Sequence, residues 1–305
     1  MPAAARELDA MPALPSLYAR AGLGAIPGSG ILGRLPMLPG GGRSDSLPAE
    51  SLRVAGVVAD RDEVSRYSRV CGLTLRDELP AAYPHVMSFP LQLALMASGG
   101  FPFPLLGLVH IADSISHHRP IAAGEPLDLE VAATDLRAHP KGRAFTLAVE
   151  ARADGELVWE EEGTILQRGG GDPAAAREAE PDLSEPPEDL SAAAEWRLPG
   201  DLGRRYAAVS GDRNPIHLHP LSARAFGFPR PIAHGMWSLA RSLAQLEGRT
   251  PDAFTVTVAF RRPILLPGRV RFAAGAGAGG AIDFALRGPE PRDPALHLHG
   301  ELRPR

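Results

Sequence analysis

Asp212 and His217 lie five positions apart (217 − 212 = 5), on either side of Asn214-Pro215. The Asn-Pro pair turns the chain rather than letting a helix run through it, so both side chains can face one pocket. A carboxylate and an imidazole sharing a pocket make a general acid/base pair. His234-Gly235-Met236 follows, and from Met236 the residues Leu239, Ala240, Leu243 and Ala244 recur at i+3, i+4, i+7 and i+8. This spacing predicts an amphipathic helix that starts at Gly235. The first N–H groups of such a helix have no partner within it and sit at the positive end of its dipole, where they suit an oxygen gaining negative charge. Taken singly, Asp-x-Asn-Pro is most often a turn, and a His between Ile216 and Leu218 is most often a satisfied core residue. The chemical reading rests on acid, base and helix start occurring together.

Elements elsewhere must position these groups. The chain has 305 residues, enough for two domains of about 100 to 150 residues each, and its 44 % hydrophobic content is that of a globular protein. A net charge of −4 with both signs dispersed leaves no basic stripe for nucleic acid. Cys71 is the single cysteine, which excludes an intrachain disulfide and suits a reducing compartment. Val70 and Gly72 flank it, with no thiolate-stabilising charge nearby, so it is unconvincing as a nucleophile. No apolar run is long enough to span a membrane, and residues 1–42 lack a signal peptide's unbroken apolar core. These features predict a cytoplasmic protein whose N-terminal arm, 1–45, is partly flexible, with a short helix over 17–23 as the docked alternative.

The rest reads as two diverged copies, 46–168 and 196–305, joined by a Pro/Gly/acidic linker over 169–195. Tyr67-Ser-Arg-Val-Cys-Gly72 echoes Tyr206-Ala-Ala-Val-Ser-Gly211 (206 − 67 = 139), and Arg119-Pro120-Ile121 echoes Arg262-Pro263-Ile264 (262 − 119 = 143). In the second copy Phe254, Val256, Val258 and Phe260 alternate, as do Ile282, Phe284 and Leu286, and again Leu296 and Leu298. In the first, Leu91, Ala94, Leu95 and Ser98 share a helix face ending at Gly99-Gly100. Leu127, Leu129 and Val131, then Phe145, Leu147 and Val149, alternate as strands, with Asp154-Gly155 as a hairpin turn. The fold class is therefore α+β: a helix followed by antiparallel strands, twice over, with the two sheets joined edge to edge.

The stretch from Tyr206 to Met236 resembles the MaoC-like (R)-specific enoyl-thioester hydratases and dehydratases. It matches them at Tyr206, Ser210, Gly211, Asp212, Asn214, Pro215, Ile216, His217, Ala225, Gly227, Phe228 and Ile232 to Met236. The resemblance implies a double hot-dog fold and a lyase acting on acyl-CoA or acyl-ACP thioesters in fatty-acid metabolism. Asp212 and His217 would be the catalytic pair that holds water, and the Gly235 amide would polarise the thioester carbonyl. Asn214 and His234 are further candidates for substrate binding. No cofactor and no metal are implied, and a homodimer is left open. Two positions depart from the family. His219 stands where Asp is common, which weakens a helix cap by about 1 kcal/mol, and Leu243 takes a register where some members place Ser, with Ser242 beside it.

The first copy reads as having lost this chemistry. Leu73 to Pro80 offers Asp77 and no His where the second copy has Asp212 and His217, and Val86-Met-Ser-Phe-Pro90 stands where the Gly-started helix is expected. One active site per chain follows. The apolar run Phe101 to Leu106 could widen an acyl groove or be ordinary core. His117-His118 and His297-x-His299 lack accompanying ligands, and the latter pair is expected to face solvent; His110 and His139 stand alone. Ser210 is on no strand-to-helix elbow, which disfavours serine hydrolysis. The competing readings are a hot-dog thioesterase and a non-catalytic acyl-thioester-binding subunit of a dehydratase complex. Asn-Pro-x-His disfavours the first, and unchanged function in a His217→Ala variant would favour the second.

Overall fold

The computed structural model describes residues 5–24, 45–105, 107–175, 183, 185–187, 190–289 and 295–305. The arm supplies β1 (Ala5–Glu7), paired parallel to the next strand, and helix α1 (Leu14–Gly24). The first half then runs β2 (Ser51–Val57), α2 (Arg61–Cys71), α3 (Tyr83–Met96), β3 (Val109–His117), β4 (Leu127–His139), β5 (Gly142–Ala153) and β6 (Glu156–Arg168). The second repeats the order with β7 (Ser191–Leu198), α4 (Leu202–Ser210), α6 (Gly235–Leu246), β8 (Phe254–Phe260), β9 (Gly268–Ala276), β10 (Ile282–Arg287) and β11 (Leu296–Pro304). A short extra helix, α5 (Pro220–Ala225), stands between α4 and α6. Strand β7 begins within the stretch read as linker.

The eleven strands among the described residues form one sheet in the order β1-β2-β4-β5-β6-β3-β8-β11-β10-β9-β7. Inward from β2 and from β7 each half has the same order, with β1 of the arm added outside β2, and β3 joins β8 antiparallel from Ala112↔Ala259 to His117↔Phe254. The two sheets are therefore continuous, and the edges that a lone half would expose are paired with each other. The alternation in β5 buries Phe145, Leu147, Val149 and Ala151 beneath α3, and α6 seats Trp237 against Trp196, which stacks on Phe272. This is the double hot-dog architecture of class α+β. Asp154 (φ 49) and Gly155 (φ 83) make the β5–β6 turn at the expected place, in backbone conformations that Gly and Asp tolerate.

Helix α2 is capped by Asp60, whose carboxylate accepts from the amides of Asp62 and Glu63 at 2.8 and 2.9 Å, and closed by Gly72 at φ 73. Helix α4 closes on Gly211 at φ 78. The two echoed helices meet, with the Tyr67 and Tyr206 rings 6.1 Å apart. Cys71 is buried beside them and its thiol is pushed up to about 12 by burial, consistent with an inert core residue.

The halves differ most between these helices and the next. In the first half the chain runs from Gly72 to a bridge at Glu78↔Ala122; in the second it runs from Gly211 to the corresponding bridge at Ile232↔Leu265. The first span is 78 − 72 = 6 residues and the second 232 − 211 = 21, a difference of 15. Asp77 therefore does not stand in for Asp212: it lies at the surface, paired with Arg61. Likewise Val86 to Pro90 lies inside α3, which starts at Tyr83 with Pro84 in its first turn. The sequence echoes on either side, at offsets of 139 and 143, differ by only 4 and give no sign of this difference.

Candidate active site

The longer segment of the second half carries the predicted acid and base. Asp212 leaves α4 at Gly211, and its Oδ1 accepts from the Asn214 amide at 3.0 Å. Asn214 caps a 3-10 turn over Pro215–His217, accepting from the Ile216 amide, while its Nδ2 donates to the Leu108 carbonyl of the first half at 3.2 Å. Both ends of this amide are thus spent holding the loop. His217 Nδ1 lies 2.8 Å from the Ile232 carbonyl. A carbonyl only accepts, so Nδ1 carries the proton and Nε2 presents a lone pair. The His234 ring stacks on His217 with centroids 3.6 Å apart, and its Nε2 donates to the Asp212 carbonyl at 3.1 Å. Asp212, His217 and His234 each bring one ligand-type atom within 4.8 Å of the others, the one such trio found among the described residues.

Electrostatics separate the roles. Burial lowers the His217 imidazole below its usual range, outweighing the pull of Asp212 and of the Ile232 bond. His234 is pushed down to about 3 by burial and by neighbouring His217. Burial opposes ionisation of Asp212, but His234, His217 and the Asn214 amide together hold it below the ordinary carboxylate range. Near neutral pH the group is one carboxylate and two neutral imidazoles, as a base poised to take a proton requires.

Helix α6 starts at Gly235 as predicted. Its N-cap, His234, makes no side-chain cap, so nothing on that residue competes for the first amides. A Cβ at position 235 would lie 3.0–3.1 Å from the Phe260 ring, so glycine is what lets the helix start approach β8. Ser238, one turn on, lines the cavity and bonds the His234 carbonyl at 3.2 Å. It is Ser238, rather than Ser242 or Leu243, that faces the site; Ser242 is buried and donates to the Ser238 carbonyl. At His219 the expected loss of a cap is made good by the ring, whose Nδ1 accepts from the Leu221 amide at 3.3 Å.

These residues open onto one cavity of about 580 Å³ walled by both halves. Phe101 and Phe103 pack on Phe145 in the core, Leu105 lines the cavity, and Leu106 is outside the described residues. The arm contributes more than expected: α1 docks through Leu17 onto Phe89 and Leu93. Tyr18 donates to the Gly211 carbonyl at 2.9 Å and accepts from the Arg213 amide at 2.7 Å, gripping both sides of Asp212. Several histidines depart from expectation. His110 and His139 line the cavity. His297 is partly buried there, bonded to the Arg262 carbonyl, and His299 is buried 3.8 Å from Asp283 on the neighbouring strand β10. His85 and Glu161, which no local spacing singled out, line the cavity as well.

A sheet joined from two helix-bearing halves, with an acid/base loop and an open helix start on one of them, defines a double hot-dog hydro-lyase. The chain matches the MaoC like domain over residues 185–278. It is 36% identical over 259 residues to 3-hydroxyacyl-thioester dehydratase X of Mycobacterium tuberculosis, covering 84% of this chain and 89% of that protein. The crystal structure of HtdX from the same organism superposes with a TM-score of 0.73 at 32% identity, covering 84% of this chain and 100% of that one. A further M. tuberculosis protein with a double hotdog fold, 13% identical, shares the fold over 81% of this chain and 92% of that one, with a TM-score of 0.52. The chain belongs to the MaoC-like dehydratase family.

Proposed function

We propose that this protein interconverts trans-2-enoyl and (R)-3-hydroxyacyl thioesters in fatty-acid metabolism, with Asp212 and His217 as its acid/base pair. The observation that carries the assignment is the His217 Nδ1 bond to the Ile232 carbonyl at 2.8 Å, which leaves Nε2 as a free base beside an ionised Asp212. His217 takes a proton from water as the water oxygen bonds C3. The C2–C3 π electrons move toward the thioester oxygen, which the Gly235 amide receives. C2 then takes back the proton held by the pair, so that H and OH are added and nothing else is consumed. Dehydration is the reverse. Asp212 orients the water and balances the imidazolium, while His234 positions both partners from behind. A positioned acid/base pair contributes about 10² to 10⁴ in rate, and an oxyanion donor about 10² to 10³.

Lys141, Arg168 and Arg262 line the cavity with exposed side chains. They suit the phosphate of a phosphopantetheine arm, the chemistry that coenzyme A and acyl carrier protein share. No described helix is long and apolar enough to cross a membrane, and the free Cys71 fits a cytoplasmic setting. The test is conversion of trans-2-enoyl-CoA by the wild-type chain, followed by loss of enoyl absorbance and chiral analysis of the product. (R)-3-hydroxyacyl-CoA is expected; release of free thiol without hydration would instead mark a thioesterase.

A further inference from the structure

The half without the Asp212 loop brings four ionisable side chains together: His85 on α3, His110 and Asp113 on β3, and Glu161 on β6. His85 Nδ1 lies 2.7 Å from Glu161 Oε1. The His85 and His110 rings stack with centroids 6.3 Å apart, and His110 Nε2 stands 3.8 Å from Asp113 Oδ2. Gln92, two turns along α3, bonds Ser88 at 3.0 Å and reaches His85 at 3.5 Å. Asp113 is 1 % exposed, Glu161 3 % and Gln92 4 %. Polar groups this deep are costly unless hydrogen-bonded. Asp113 and Glu161 stand close enough to share a hydrogen bond through a carboxyl proton, while Nε2 of His110 has no partner of its own among the described residues.

His85, Gln92, His110 and Glu161 all line the cavity that His217 and Asp212 line. The Phe260 ring links the two groups: it abuts Gly235 on one side and lies 5.3 Å from the His110 ring on the other. The cluster is thus one aromatic ring away from the helix start that receives the thioester oxygen. Apolar neighbours such as Phe89 and Leu93 could have continued as an alkyl-lined wall, and here they give way to hydrogen-bonding groups. Burial pushes the Glu161 carboxyl up to about 8, and burial and then Glu161 drive Asp113 well above its usual range. Burial lowers His85, and lowers His110 to about 3. Near neutral pH the wall therefore offers donors and acceptors with little net charge.

We propose that His85, His110 and Glu161 form a polar subsite for the acyl chain, and that the preferred substrates carry a second neutral oxygen, a hydroxyl or a carbonyl, beyond the reacting carbons. The inference rests on the acyl-thioester reading of the site. A plain alkyl chain would cover the polar side chains that His85 and Gln92 bring to the cavity wall without pairing them, whereas a hydroxyl or ketone can hydrogen-bond there. A carboxylate or ammonium would place a charge against an uncharged wall cut off from water.

The test is kcat/KM for a series of trans-2-enoyl-CoA substrates of one length, either plain or with a hydroxyl or keto oxygen moved one carbon at a time along the chain. One oxygen position is expected to exceed the plain chain by on the order of tenfold, as one well-made hydrogen bond allows. Glu161→Gln and His85→Gln are expected to shrink that ratio toward one. If plain chains turn over and no oxygen position is preferred, the subsite is overturned while the hydratase reading stands. If no substrate turns over, the hydratase reading fails. Saturated thioesters of the same series, read by their shift of the wild-type melting temperature, then decide the subsite: oxygenated chains shifting it no more than plain ones would overturn it. These wild-type comparisons hold even if a variant fails to fold.

Discussion

The two halves share strand order, helix order and even the αL glycine that ends the helix before the site, yet in the proposed reaction one supplies the acid/base pair and the other a wall of the cavity. The difference is one of chain length before it is one of residue identity. The bridge at Ile232 lies 21 positions beyond Gly211, whereas the bridge at Glu78 lies 6 positions beyond Gly72. The longer path leaves room for Asp212, the 3-10 turn that delivers His217, and α5. The shorter path reaches its bridge at Glu78 and then enters α3, so no single substitution in it could recreate the Asp212–His217 loop. What the first half offers the site instead is the Leu108 carbonyl just before β3, which pins Asn214, and the buried His85–Glu161 pair of α3 and β6.

The comparison breaks first at the two aspartates. Asp212→Asn is expected to lower kcat for enoyl-CoA hydration by about 10² to 10⁴, the share that a positioned acid/base pair supplies. Asp77→Asn, which loses only the exposed pair with Arg61, is expected to leave both rate and stability within about 0.5 kcal/mol of wild type. Equal losses in the two variants would show that the halves are not divided as described.

Gly235→Ala tests the helix start. The added methyl meets the Phe260 ring, and overpacking of this kind costs about 1–3 kcal/mol. Rate measurements are expected to show kcat falling by about tenfold, with chemical denaturation reporting the stability loss. Tyr18→Phe tests the arm's grip on the Asp212 loop. Removing the hydroxyl frees the Gly211 carbonyl and the Arg213 amide, worth about 1 kcal/mol and a several-fold fall in kcat with the same substrate preference.

The smallest effect is in pH dependence, and it differs between the halves. His217 must be neutral to act, and its pKa is lowered, so kcat/KM should stay level through neutral pH and fall only on acidification below the ordinary histidine range. Glu161 has the opposite sense. Its carboxyl rises on folding from its ordinary 4.5 to about 8 because of burial, so the folded chain binds this proton more tightly than the unfolded one. Its stabilisation is fully present below pH 4.5 and is lost as pH rises through about 8. The lowered histidines, common to both proteins, push the other way below their ordinary range, so the expected readout is the difference: the wild-type melting temperature should fall relative to that of Glu161→Gln across the window.

Much of this arrangement was legible in the sequence because it is local. The 3.6-residue spacing after Gly235, the alternation in 254–260 and 145–149, and the Asp154-Gly155 turn each depend on neighbours along the chain. So do Asp212 and His217, which one loop holds. The His85, His110, Asp113 and Glu161 cluster draws on α3, β3 and β6, and no spacing along the chain marks residues that meet only when distant strands pair. Tyr18 was hidden for the same reason, its partners lying 193 and 195 positions away. His299 misled because alternation tells the two faces of a strand apart but does not say whether the second face is covered. The loop difference was masked because the two echoes, at offsets of 139 and 143, differ by only 4 and so give no sign of a longer segment between them.

The central claim is that His217 and Asp212 act as a unit on one water. The most direct test is the hydration rate of folded His217→Ala, Asp212→Asn and the double variant, with circular dichroism confirming the fold of each. Residues that act as a unit are non-additive, so the double variant should be no slower than the slower single one. Losses that multiply in the double variant, or a His217→Ala enzyme that still turns over at the wild-type rate, would contradict the account.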